Sequence, residues 1–156
     1  LREVGMTSAI FAFIHHALAF VLFAALMVEL VLLRFPLSVA TARSILRMDM
    51  IYGICAGLLL LVGFGRVFHT EKGPDYYFAS GPFMAKITLF ILVGLISIYP
   101  TIKFMSWRKA LAAGAAPVLD PAQQRTIKMI IHTELTLLLL IMLFAALMAR
   151  GIGVLS

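Results

Sequence analysis

The sequence predicts an all-α integral membrane protein, a four-helix bundle of up-down topology. Three observations carry this. Of the 156 residues, 63% are hydrophobic and only 13% are charged, against about 45–50% apolar and about 25% charged in a soluble domain. The mean hydropathy is +1.07. The apolar residues also gather into four runs, each near the roughly 20 residues that a spanning helix needs. This composition excludes a soluble globular domain and a disordered chain, and the length allows one compact unit, so residues 1–156 are read as a single transmembrane domain.

The first run covers residues 8–33. It is too long for the apolar region of a signal peptide and contains His15, His16 and Glu29, so a retained helix is expected, with Met6 as the natural start. A basic turn with Pro36 follows over 34–47. The second run, 50–68, carries Gly53 and Gly57 at GxxxG spacing, which suits a close helix contact or room for a flat ligand. Residues 69–82 (HTEKGPDYYFASGP) form a polar, aromatic loop before the third run, 83–104. The longest link, 103–128, contains Asp120-Pro121, an aspartate cap followed by a first-turn proline. The fourth run is 127–149. No repeat or second domain interrupts this pattern.

The single cysteine, Cys55, excludes an internal disulfide framework and a multi-cysteine zinc or iron–sulfur site. A net charge of +6 in so apolar a chain points to membrane orientation, with the lipid bilayer as partner and no nucleic acid. Eight cations (Arg34, Arg43, Arg47, Lys103, Arg108, Lys109, Arg125 and Lys128) fall in the first and third connections. Arg2, Arg66, Lys72 and Arg150 lie on the other side. The imbalance places the first and third connections in the cytoplasm and both termini in the periplasm of a bacterial inner membrane.

Ionisable groups within apolar runs are costly, about 2.5–3.5 kcal/mol on insertion scales, and tend to face a bundle interior or a cavity. They sort into two layers. The outer one holds His15 or His16, Arg66, His69 and Lys86. Arg66 and His69 are one turn apart and share a face. The inner one holds Glu29, Asp49, His132 and Glu134, with Arg34 and Arg47 close enough to form a buried ion network. Residues 14 apart differ by about 40° on a helix, so His15 shares the Glu29 face and is expected to point inward, with His16 about 100° round. His132 and Glu134 are about 200° apart, so one of them at most is central to a site.

Each group has a plainer structural reading. His69 can simply reach interfacial water, Lys86 can snorkel outward, and Tyr76-Tyr77 can belong to an aromatic belt. The functional reading is heme or proton relay. Imidazole supplies an axial iron ligand, small residues make space for a macrocycle, and arginine or lysine meets propionates. Histidine and carboxylates relay protons. The sequence has no GxSxG, HExxH, phosphate-loop, CxxCH or dinucleotide motif.

The stretches FAFIHHALAFVLFAALMVELVLLR (11–34), EKGPDYY (71–77) and FMAKITLFILVGLISIYPTIKF (83–104) are similar to a family of small bacterial four-helix membrane proteins of unknown function. More distantly, the chain resembles the four-helix membrane protoporphyrinogen IX oxidases. They too have a histidine on the first helix, a basic segment before the second, a lysine at the start of the third and a glutamate early in the fourth. The matching positions are His15 or His16, Arg47, Lys86 and Glu134. The chain departs from that family in lacking a tryptophan on the first helix. The resemblance implies heme b and a porphyrin substrate.

The expected function is therefore that of a heme b membrane redox protein, oxidising a porphyrinogen or passing electrons to a quinone. His15 or His16 would be the metal ligand, Arg66, His69 and Lys86 would contact the cofactor, and Lys86, Glu134 or His132 would act in catalysis. The alternative is a non-enzymatic protein: a proton-linked transporter, working as a homo-oligomer, or a small accessory subunit.

Overall fold

The computed structural model describes residues 2–69, 73–150 and 152, apart from the side chains of residues 2–4, 69, 73, 74 and 76. The described residues form six helices: α1 (Arg2–Leu32), α2 (Val39–His69), α3 (Gly73–Phe78), α4 (Gly81–Ser106), α5 (Arg108–Ala112) and α6 (Pro121–Ala149). Four helical segments are long and apolar enough to cross a membrane: Gly5–Leu32, Val39–Phe68, Gly81–Ala112 and Pro121–Ala149. At 31 residues, α1 and α2 are each about 46 Å long, well beyond a hydrocarbon core of about 30 Å. Large apolar side chains such as Phe13, Phe20, Leu61 and Leu95 point outward, as a lipid-facing surface requires.

Local chemistry sets the helix starts. The Asp120 carboxylate accepts from the amides of Ala122 at 3.1 Å and Gln123 at 3.4 Å, with Pro121 opening α6 as the sequence suggested. At α4, the Ser80 hydroxyl accepts from the Phe83 amide at 3.4 Å, and Pro82 lies in the first turn. The second spanning helix corrects the sequence reading. It begins at Val39, well before residue 50, because the Ser38 hydroxyl accepts from the Thr41 amide at 3.0 Å and caps a helix inside the basic stretch. Ala42 and Ile45 in that added stretch are fully buried. Gly114, at φ +73°, turns the chain out of α5, a conformation that favours glycine.

The spanning helices form a ring in the order α1, α2, α4, α6. The pairs α1–α2 and α4–α6 pack extensively, while α1–α6 and α2–α4 meet more loosely. Among the described residues the backbones of the diagonal pairs do not approach closely, and side chains bridge them, as Tyr52 of α2 does to Glu134 of α6. The α1–α2 turn and the α4–α6 link come together at one end, here the turn end. There Gln124 Nε2 donates to the Leu33 carbonyl at 2.6 Å, and Arg43 donates to the Leu111 carbonyl at 3.3 Å. Both carbonyls lie near helix ends, where capping groups are needed, and that of Leu111 also accepts from the Gly114 amide at 3.1 Å. The opposite, terminal end carries α3 and the starts of α1 and α4. Leu33, Ile45, Phe104, Ile127 and Ile131 are fully buried, so the densest core lies toward the turn end.

Candidate functional site

Two polar clusters occupy opposite halves of the bundle. At the terminal end, His15 of α1, Arg66 of α2 and Lys86 of α4 converge on two small adjoining cavities of about 70 and 40 Å³. The Ser80 cap fixes where α4 begins and thereby sets Lys86 between its first and second turns. Gly63 faces the imidazole: a Cβ there would make ordinary van der Waals contact with His15 Cε1 at 3.6 Å. Lys86 Nζ lies 5.3 Å from the centroid of the Phe83 ring, a cation–π contact within the apolar wall. Arg66 and Lys86 are both within electrostatic reach of His15. His15 Nδ1 and Arg66 Nε are buried with no hydrogen-bond partner. Buried polar atoms are normally paired, so each orphan calls for an explanation such as water or a ligand. Among the described residues no carboxylate forms an ion pair with these three bases.

The structure turns His15 inward and leaves His16 exposed, its Nδ1 lying 2.6 Å from the Ala12 carbonyl of its own helix. The two rings meet edge to face at 6.0 Å. His69 closes α2, and its side chain lies outside the described residues.

The second cluster lies toward the turn end and is acidic. Glu29 of α1 and Glu134 of α6 are each only 1% exposed, and Asp49 of α2 is 9% exposed. Tyr52 donates its hydroxyl to Glu134 Oε1 at 3.2 Å. Thr101 donates to Asp49 Oδ1 at 2.7 Å. Glu29 Oε1 has no partner, and Asp49 and Glu134 are within electrostatic reach of this carboxyl.

The expected ion network with Arg34 and Arg47 does not form. Both arginines are exposed, and among the described residues no cation pairs with the three carboxylates. Arg47 precedes Asp49 by two positions, about 200° round the helix, so the two point to opposite sides. His132 likewise faces away from Glu134. It is exposed, with Nδ1 2.7 Å from the Lys128 carbonyl, and borders a shallow surface hollow with Arg125 and Lys128. Of that pair, the structure brings only Glu134 into the acidic cluster.

Sequence reasoning missed Tyr52 and Thr101. A signal for Tyr52 was present: it lies three residues from Asp49, on the same helix face. Thr101 follows Pro100, whose missing amide interrupts the α4 hydrogen-bond ladder next to it.

The fold and its two buried polar layers define a four-span integral membrane bundle. The chain belongs to the family described as "Predicted membrane protein (DUF2214)", which matches residues 7–153. No curated protein and no solved structure matches it.

Proposed function

We propose that the protein is a heme b-binding redox protein of the bacterial inner membrane, acting on a porphyrinogen or a quinone, with both termini periplasmic. One observation carries the reading: the buried, unpartnered Nδ1 of His15 beside a cavity walled by Lys86 and lined further on by Arg66. The donor set fits a heme. His15 would hold the iron, Arg66 would pair with a propionate, and Lys86 would be a second ligand or a substrate contact. The present cavities are far smaller than the roughly 300–1,000 Å³ of ordinary ligand pockets, so binding requires the loosely packed α2 and α4 to part. When bound, the heme supplies one-electron chemistry at iron. The chain itself holds protons at Glu134, which Tyr52 orients.

Absorption spectra of detergent-purified protein test this. A Soret band with α and β bands on reduction is expected, and a colourless, folded preparation overturns it. Reporter fusions at the C-terminus test the orientation, which fails if the fusion is active only in the cytoplasm.

The unpaired carboxylates favour a second reading, a proton-linked transporter. It predicts colourless protein that dissipates a pH gradient in proteoliposomes. Retention of the gradient by such protein excludes it.

A further inference from the structure

A second, larger concavity of about 380 Å³ lies between α2 and α4, toward the turn end. It opens sideways through Met50, Ile54 and Gly94, which are exposed on the lipid-facing surface. Gly53 on α2 and Gly94 on α4 both line it, and a Cβ at either would meet nothing within 4 Å. The gap is therefore open slot rather than close helix packing. Phe90 lines both this slot and the His15–Lys86 cavity, so one aromatic side chain divides the α2–α4 seam into two compartments.

Both helices contribute polar groups to the wall of the slot. Asp49 and Thr101 are joined by the 2.7 Å hydrogen bond, and Tyr52 and Ser97 stand beside them. Glu29 Oε1, fully buried and unpartnered, has Asp49 as its first electrostatic neighbour. Asp49 Oδ1 is taken by Thr101, and its second oxygen is left to accept a proton donor. Arg108 lines the slot as well. A cation there repels a positively charged occupant and donates to a carbonyl. Met50, Met105 and Phe90 supply polarisable and aromatic surface for a ring.

We infer that the α2–α4 slot binds the ring of a lipid-soluble quinone or quinol. The ring enters from the bilayer between Gly53 and Gly94, and its tail stays in lipid. One oxygen accepts from Arg108; the other meets the Asp49 oxygen that Thr101 leaves free, accepting from it when Asp49 is protonated or donating to it as a quinol. Thr101 holds that carboxyl in place. The volume falls within the roughly 300–1,000 Å³ of small-molecule pockets, enough for a substituted ring. The choice of a quinone over another neutral ring rests on the redox reading above; the slot itself does not.

Trp107, the chain's one tryptophan, is buried, lies in sequence between the slot residues Met105 and Arg108, and serves as a reporter. Protein purified without heme is titrated with decylubiquinone, and tryptophan emission is followed. Saturable quenching is expected. Gly94→Leu, which fills the slot, and Thr101→Val, which keeps its size, should each weaken binding by roughly tenfold or more, about the effect of one good polar contact or a blocked pocket. Circular dichroism checks the fold, and Thr101→Val carries the test if Gly94→Leu does not fold. Quenching that never saturates, or that is equal in wild type and folded variants, overturns the inference. So does saturation by dodecylamine with none by the quinone, which would make the occupant a cation. Because no heme is present, failure here leaves the His15 assignment standing, and a colourless preparation leaves this one testable.

Discussion

The two ends of the bundle are built to opposite rules. The turn end is closely packed, tied by hydrogen bonds between helix ends, and encloses three carboxylates without a cation. Among the described residues the terminal end encloses three bases without a paired carboxylate, and its buried apolar side chains are few, Val67 and Phe83 at 3% exposure each with Pro82 beside them. Like charges inside a membrane repel one another and are costly to desolvate. Neither cluster is explained as a stabilising ion pair. The difference teaches that the tethers and the densest apolar core gather at one end, while the other closes its bases around small cavities with little core beneath them.

The sharpest way to break this comparison is at His15. His15→Ala should abolish heme binding outright, while His16→Ala retains it, since His16 faces away from the cavity. Helix content should be unchanged in both, because His15 Nδ1 leaves no partner behind. Equal heme content and identical spectra in the two variants would remove the histidine from the site.

At the other end the effects are on stability. Tyr52→Phe leaves Glu134 Oε1 without its donor and should lower stability by about 1–3 kcal/mol, read by unfolding in mixed detergent. Glu29→Leu should be neutral or stabilising, because it removes a buried oxygen that no group satisfies. A marked loss of stability in Glu29→Leu would mean the carboxyl is held for structure rather than for function. The smallest effect belongs to His132→Ala, expected within about 0.5 kcal/mol of wild type, as for a surface position. A larger loss, or lost activity, would put His132 back among the functional groups.

The four spans and their order were legible because apolar run length is a strong signal in a membrane chain. Helical phase distinguished His15 from His16, and it required His132 and Glu134 to diverge. The start of α2 was not legible. The Ser38 cap sits within a basic stretch, and a helix that leaves the hydrocarbon loses the apolar pattern that marks it. The supposed ion network failed for a related reason. Depth along a helix was weighed without rotation about it, and Arg47 lies on the far side from Asp49. Tyr52 and Thr101 stayed hidden because a hydroxyl in a helix declares its role only through the neighbour it meets.

The two bonds at the turn end, Gln124 to Leu33 and Arg43 to Leu111, have a mechanical meaning. They make the bundle resemble a clothes peg, gripped at one end and joined between α2 and α4 at the other through the short α3. The lever is long: α4 has 26 residues, about 39 Å from end to end. A swing of about 5° about the tethered end carries the far end roughly 3 Å, on the lever arm set by helix rise. Spin-label distances between α2 and α4 should accordingly be narrow near Arg43 and broad near Lys86. The jaws of the peg are then the seam beside Phe90, and a flat guest can be admitted without unfastening the grip that keeps the helices together.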